Sequence, residues 1–574
     1  MEASLLGNLG WAYLQQKDFE RAMEKFVEAL NLAETRHQLP VIISSNSGIG
    51  ELLLGANRPS EAVSYYKKAV DIIESNRSLF GSGELRASFF DTNNRIGRYV
   101  GLINAYWEAQ DAEQAFNYNE RARSRAFLDI LGTKVLLSRI NGVLGREAES
   151  LKASADAKLR TDAKETGMAG GVPSIDLIEP DVYDDETAGG AIQEHKEHAQ
   201  LMNVEPLKLK EFQQLLEPGQ TLIEYFVAPE KVLLWVIERD RFKTAFVSIA
   251  QKDLEQKVNV LRKAIAELKP LREYRALARN LHDLLLLPAL SYTKGKELII
   301  VPHGVLHYLP FQALYSAQGR YLVEDYSISY LSSASLMQFT KAKRRTVGQK
   351  VLAVGNPAFE VSKAALPMAE LEAGEIRRLY PQSAILARRE ATEDKVKALA
   401  GSHDVLHFAT HAELHRDDPL ASAVLLSKGE KEDGRLEVRE IFGMDLKASL
   451  VVLSACETGL GQLSRGDELV GLTRAFIYAG TPSVVASLWK VDDASTAALM
   501  SSFYRNLKIK PKVESLRQAQ LDMIRGKVNT QLLAQRGVGG VGKLGKAPGA
   551  RSSNSVTIAH PYFWAPFILV GDGK

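Results

Sequence analysis

A pattern that returns after forty residues decides how the first third of this chain must fold. Leu9, Gly10, Tyr13, Ala22, Phe26 and Ala29 stand at offsets 0, 1, 4, 13, 17 and 20. Ile49, Gly50, Leu53, Ala62, Tyr66 and Ala69 repeat those offsets. Small and large side chains at this spacing suit two antiparallel helices. The small residues let the backbones approach, and Tyr13 and Phe26 fill the space beside them. A looser third copy runs through Leu102, Tyr106, Ala115 and Ala122, and Asn57-Arg58-Pro59 breaks the second copy between its helices. A hairpin that cannot bury its apolar face alone must stack on a neighbour, so a helical solenoid is expected.

The spacing is that of a tetratricopeptide repeat (TPR), with Leu6 where the pattern carries Trp. The first copy begins almost at Met1 with no capping helix before it. Terminal repeats normally carry a polar cap, so the chain is expected to be a fragment or to have lost repeats upstream. Residues 1–135 are assigned to the repeats and 136–206 to a helical or disordered linker. Within the linker, 164–190 gathers Gly, Pro and acidic residues without a helical or strand period.

From about residue 207 the texture changes. Residues 221–228 and 231–238 read as neighbouring strands around a turn at Pro229-Glu230, and 252–288 as helical. Further strands are expected at 297–303, 351–357, 404–412, 449–456 and 482–489. Helices are expected at 369–379, 467–479 and 493–507. Apolar strands separated by helices indicate a parallel sheet covered on both faces, with chemistry at the carboxyl ends of its strands. The fold class is therefore α/β, a sheet with flanking helices, preceded by an all-α repeat region.

Composition narrows the functions. Lys plus Arg is 72 and Asp plus Glu is 70, so the net charge of +2 provides no field favouring nucleic acid or a membrane surface. No apolar run approaches the roughly 20 residues that a membrane-crossing helix needs. The first residues carry Glu2 where a secretion signal would be basic, so a cytoplasmic location is expected. Cys456 is the single cysteine, which excludes an intramolecular disulfide and a cysteine-based metal site. No cofactor or metal is expected. The segment Gly537–Lys543 fits the phosphate-loop spacing up to its lysine, but Leu544 replaces the magnesium-binding hydroxyl and no strand precedes it. It reads as part of a disordered insertion.

Two expected strands end in reactive residues. One ends at His411 in Ala409-Thr410-His411-Ala412, the other at Cys456 in Ser454-Ala455-Cys456-Glu457. If the strands are adjacent and parallel, an imidazole and a thiol face each other over the sheet edge. His411 can then take the thiol proton, and the sulfur can attack a carbonyl carbon. The backbone N–H groups of Cys456 and of Ala412, beside His411, are the natural oxyanion donors. A lone cysteine is more often a small buried apolar residue. Here its strand end, and the His-ended strand 45 residues upstream, favour catalysis. His407 lies four residues before His411 and is expected deeper, as a core residue. His303 and His307 bracket a turn with no nucleophile nearby in sequence, and His403, His415 and His560 are loop candidates.

Four segments, HFATHAEL (407–414), VVLSACETGLG (451–461), the run 466–493 and HPYFWAPFILVGD (560–572), resemble the CHAT family, caspase-like proteases associated with TPR repeats. IVPHGVLHYLPFQAL (300–314) resembles the N-terminal half of that domain. The likeness spans roughly 207–574. It implies a caspase-like fold and a cysteine endopeptidase in which His411 is general base and Cys456 is nucleophile. It also implies an inactive first lobe at 207–345 and a catalytic lobe at 346–574. Cys456 is not preceded by Gln or followed by Arg-Gly, which departs from the caspases.

Asp492 and Asp493 lie where separases carry an acidic pocket residue, which would select Lys or Arg before the cut bond. They also read as a helix N-terminus, with Asp493 the better cap and Asp492 the better pocket residue. The resemblance further implies a protein substrate and a regulatory protein partner on the TPR region. In some relatives that partner is an RNA-guided type III CRISPR effector in antiviral defence. Direct nucleic-acid or membrane binding is not expected. The competing reading is a catalytically silent TPR scaffold or adaptor.

Overall fold

The computed structural model describes residues 1–77, 92–123, 206–359, 366–415, 418–454, 467–489, 493–528 and 558–574. The linker at 136–206 therefore falls almost wholly outside the described residues, and Gly537–Lys543 falls entirely outside them.

Helices α1 (Glu2–Gln15), α2 (Phe19–Thr35), α3 (Leu39–Gly55), α4 (Pro59–Arg77), α5 (Thr92–Glu108) and α6 (112–123) form the N-terminal region. The small and large positions interlock as their spacing requires. Phe26 is fully buried between α1 and α3. A Cβ on Gly10 would sit 2.6 Å from its ring, and one on Gly48 would sit 2.3 Å away. Tyr66 fills the same place one repeat later, where a Cβ on Gly50 would stand 2.7 Å away and one on Gly101 2.3 Å away. Only glycine permits that approach.

The three hairpin turns are alike. Lys17, Asn57 and Gln110 each adopt positive φ (61°, 58° and 63°). The residue after each donates its N–H five positions back, to Tyr13, Leu53 and Tyr106, at 2.8–2.9 Å. This is the Schellman helix ending, which satisfies carbonyls that the helix leaves open.

The C-terminal region is built on one eleven-stranded sheet, in the order β3-β2-β1-β4-β5-β14-β13-β12-β8-β6-β7. Its strands are β1 (Gln220–Val227), β2 (Lys231–Glu238), β3 (Arg241–Ser248), β4 (Glu297–Val301), β5 (Ser327–Tyr330), β6 (Val351–Pro357), β7 (Ala384–Arg388), β8 (Val405–Ala409), β12 (Leu450–Leu453), β13 (Ser483–Ser487) and β14 (Phe567–Gly571). A small second sheet joins β9 (Ala412–Glu413), β10 (Ala423–Leu425) and β11 (Arg435–Glu437). The main flanking helices are α7 (Gln251–Ala266), α8 (Leu271–Leu285), α9 (Pro367–Leu379), α10 (Asp467–Tyr478), α11 (Asp493–Leu507) and α12 (Lys512–Ile524).

The expected parallel sheet is mixed. β1, β4, β5 and β14 run parallel to one another, and β13, β12, β8, β6 and β7 form a second parallel set. The sets meet antiparallel where β14 pairs with β13, Ile568 opposite Ala486. The carboxyl ends of the two sets therefore lie at opposite edges of the sheet. β2 and β3 add an antiparallel meander at one side. The division expected near residue 345 falls between β5 and β6, inside this continuous sheet.

The repeats dock on the first set of strands. Trp235 of β2 meets Trp107 and Phe116 edge-on at 5.7 and 6.1 Å, and its indole N–H donates to the Ala112 carbonyl at 3.0 Å. Deeper in, α6 inserts Arg123. Its guanidinium donates to the carbonyls of Tyr225 (2.5 Å), Pro302 (2.8 Å) and Ser332 (3.1 Å), at or just beyond the carboxyl ends of β1, β4 and β5. Glu224 lies 3.4 Å from its Nε and is fully buried. Glu120 accepts from the Ala334 and Ser335 N–H groups at 2.9 and 2.6 Å. Burial, and then the Glu120 charge, push the Glu224 carboxyl well above its ordinary range.

Candidate active site

β8 and β12 are adjacent and parallel, with Leu406 opposite Val451, His407 opposite Val452 and Phe408 opposite Leu453. β8 ends at Ala409, two residues earlier than the sequence pattern indicates, because the chain turns there. Thr410 Oγ1 donates to the Leu425 carbonyl at 2.6 Å, and the Leu425 N–H donates to the His411 carbonyl at 2.9 Å. These two bonds tie the segment after β8 to β10. His411 is half-buried, and its ring lies 5.4 Å from that of Phe359, which follows β6.

Because His411 and Leu425 form a hydrogen-bonded pair, the next pair, Ala412 with Val424, is a non-bonded one. The Ala412 N–H is thus directed away from β10.

On the other strand the described residues stop at Ser454, whose N–H donates to the Phe408 carbonyl at 2.9 Å. Cys456 lies outside the described residues, as does Asp492. Asp493 is the first residue of α11, and its side chain lies outside them too. His411 follows Phe408 by three positions and Cys456 follows Leu453 by three, and Phe408 and Leu453 are paired.

Below this edge lies a buried polar chain. His407 has no exposed surface, as expected of a core residue, but it is not surrounded by apolar groups alone. Its Nδ1 is 3.0 Å from the Tyr504 hydroxyl of α11, and its Nε2 is 3.0 Å from Glu372 Oε1 of α9. The second contact is at ion-pair distance but off the axis of a straight hydrogen bond. The Ser454 hydroxyl donates to the same Glu372 oxygen at 2.7 Å. Burial, with the Glu372 charge adding, pushes the Tyr504 hydroxyl well above its ordinary range. The hydroxyl and Nδ1 share one proton between them, and the other ring nitrogen faces Glu372. Glu372, Ser454 and Tyr504 escape a sequence reading. The one signal is His407 itself, a polar residue in the apolar strand Val-Leu-His-Phe-Ala, which demands buried partners.

His303, His560 and His403 hold structural places. His303 is buried, with its Nδ1 accepting from the Val227 N–H at 3.1 Å, and burial plus the Arg123 charge lower it to about 3. His560 caps the short helix Pro561–Trp564 through the Tyr562 N–H at 3.2 Å. His403 Nδ1 lies 2.8 Å from the Leu399 carbonyl. Glu393, Glu432 and Glu440 converge closely enough for a cation, but the Lys397 ammonium already sits among them at 2.7, 2.9 and 2.8 Å. Among the described residues no helix is long and apolar enough to cross a membrane.

Comparison with known proteins places this architecture. The tetratricopeptide repeat protein 28 of Mus musculus is 24% identical over 353 residues, covering 51% of this chain and 13% of that protein. Its Homo sapiens counterpart is 24% identical over 349 residues, with the same shares. The chain therefore spans only 13% of the length of these relatives.

Among solved structures, the Saccharomyces cerevisiae separase–securin complex aligns with a TM-score of 0.40 at 8% identity, covering 99% of this chain and 53% of that one. The complex of Porphyromonas gingivalis RgpB pro- and mature domains aligns at 0.29 and 10%, covering 56% and 76%. A tetratricopeptide repeat model matches residues 2–75, and the CHAT domain model matches residues 275–572, just over half of the 574. The chain belongs to the CHAT domain family.

Proposed function

We propose that this chain is a cysteine endopeptidase with His411 as general base and Cys456 as nucleophile. The observation that carries this reading is the parallel pairing of β8 with β12, which sends both segments off the same edge from paired residues. In the proposed reaction His411 takes the thiol proton and the Cys456 sulfur adds to the scissile carbonyl carbon. The oxyanion is held by the N–H groups of Ala412 and Cys456. Collapse expels the amine, which receives the proton from His411, and water activated by His411 then releases the acyl group. Asp492 is the proposed selector of Lys or Arg before the cut, with Asp493 serving the start of α11.

The repeats are proposed to carry regulation by a bound protein partner, which the resemblance would extend to an RNA-guided CRISPR effector. Supporting this, α6 is bonded into the sheet through Arg123, whose Ser332 contact continues to Arg474. The Arg474 Nε donates to Ser332 Oγ at 2.8 Å, and Arg474 belongs to α10, the helix that follows the nucleophile segment in sequence.

The test is Cys456→Ala in the full chain, with a peptide library containing Arg and Lys sites as substrate. Cleavage should vanish while thermal stability stays near that of the native chain, because little volume changes. Unchanged cleavage by a folded Cys456→Ala protein sinks the reading.

A further inference from the structure

The buried chain Tyr504–His407–Glu372–Ser454 poses a question that stability does not answer. It places a carboxylate, an imidazole and two hydroxyls between a sheet and its covering helices. Glu372 is 5% exposed and His407 0%. Burying a carboxylate is costly even when paired, and apolar residues of similar volume usually serve a core as well or better. Such a set is retained where it fixes one geometry among several that packing alone would allow.

Its contacts show which geometry that is. Glu372 takes hold of both strands of the candidate site through one oxygen. His407, on β8, faces it with Nε2 at 3.0 Å, and Ser454, just after β12, donates to it at 2.7 Å. Tyr504 braces the imidazole from the opposite side at 3.0 Å, and the Tyr380 hydroxyl, at the end of α9, donates to the Tyr504 carbonyl at 3.1 Å. The Ser454 hydroxyl donates to Glu372, and the His407 ring lies between Glu372 and the Tyr504 hydroxyl. Ser454 is the last described residue on its strand, held by its N–H to Phe408 and by its hydroxyl to Glu372. His407 stands four residues before His411 on the neighbouring strand.

We propose that Glu372, His407, Tyr504 and Ser454 are positioning residues that lock the end of β12 to β8 and so set the reactivity of the thiol two residues beyond Ser454. The inference rests on the protease reading of Cys456. It differs from that reading because it assigns no step of the reaction to the four groups. They act through the strand ends, and the reacting atoms belong to other residues.

The single cysteine allows a test that does not need the substrate. The full-length chain and its Ser454→Ala, Ser454→Thr and Glu372→Gln variants are treated with iodoacetamide, and the rate of Cys456 alkylation is followed from pH 5 to 9. Peptide cleavage and thermal midpoint are recorded alongside. A thiol held against an imidazole reacts at lower pH than a free one, whose pKa is about 8.5. Ser454→Ala and Glu372→Gln should move the alkylation profile toward that ordinary value and slow labelling at pH 6 by about tenfold or more. The double variant should be no slower than either single one, since the residues act as one unit. Ser454→Thr keeps the hydroxyl and should retain the native profile.

A profile unchanged in Ser454→Ala and Glu372→Gln overturns the inference, as does a native Cys456 that resists the reagent. Equal loss in Ser454→Ala and Ser454→Thr, tracking thermal stability, also overturns it by reducing the chain to packing. A shifted, variant-sensitive alkylation profile alongside cleavage that Cys456→Ala leaves unchanged would sink the protease reading and leave this one standing.

Discussion

At the carboxyl ends of β1, β4 and β5 the chain inserts a guanidinium from the repeats. At the carboxyl ends of β8 and β12, on the opposite edge, a histidine is left half-buried beside Phe359. Both halves of the sheet bury charge near these ends, and they resolve it differently. In the first half Arg123 satisfies three strand-end carbonyls, and Glu224 sits beside it under the same helix. In the second half the buried carboxylate, Glu372, faces a histidine and a serine that belong to the strands themselves. The first half meets the repeats at this edge, and the second carries the candidate site.

The largest effect should separate the histidines of the two halves. His411→Ala is expected to reduce peptide cleavage by on the order of 10³-fold or more, because a general base and its nucleophile act as one unit. His303→Asn, in the docked half, should change the catalytic constant less than about threefold. A cleavage assay on both variants decides. Equal losses would erase the proposed division of labour between the halves.

The same contrast shows what could be read from the chain alone. The strands β1, β2, β4, β6, β12 and β13 were legible because burial on both faces leaves each with a run of apolar residues. β3 (Arg-Phe-Lys-Thr-Ala-Phe-Val-Ser) lies at the sheet edge and mixes polar and apolar residues without a clear period, which lowers its contrast. β14, in the closing segment Phe567–Gly571, enters the middle of the sheet and reverses its direction there. No local pattern announces which strand a segment will join.

The candidate site divides in the same way. His411 follows a recognisable strand. Glu372 and Tyr504 lie 82 and 97 residues from the partners they meet, so nothing short of the fold connects them.

A second break falls on the docking contact. Arg123→Ala leaves Glu224 buried without its cation and three carbonyls without their donor. Each buried acceptor left without its donor typically costs about 1–3 kcal/mol. The urea midpoint of the full chain should fall accordingly, and limited proteolysis should cut the repeats away from the sheet first. Arg123→Ala combined with Glu224→Gln should recover little of the loss, because the raised Glu224 carboxyl is protonated once Arg123 is gone and the three carbonyls still lack their donor. A midpoint within experimental error of the native one would mean that the Trp107, Phe116 and Trp235 contacts and the Glu120 bonds hold the repeats without Arg123.

The smallest effect is a pH dependence confined to the docked half. His303 accepts from the Val227 N–H through Nδ1, and this bond requires the ring to be neutral at that atom. Burial, with the Arg123 charge adding, lowers it to about 3, and burial lowers His307 well below its usual range. In the unfolded chain both titrate near the ordinary value of about 6.5. The unfolded state therefore binds more protons over that window, and stability falls as pH drops from about 6.5 toward 3. Each group contributes a slope that approaches about 1.4 kcal/mol per pH unit. Glu224 acts in the opposite sense, since its raised carboxyl binds a proton more readily in the folded chain and gains stability as pH falls. The difference between the native chain and His303→Asn isolates the histidine from that opposing term. Urea midpoints at pH 7 and pH 5 should fall more steeply for the native chain than for the variant. Parallel behaviour of the two would show that His303 charges in place, and that the edge beneath Arg123 admits water.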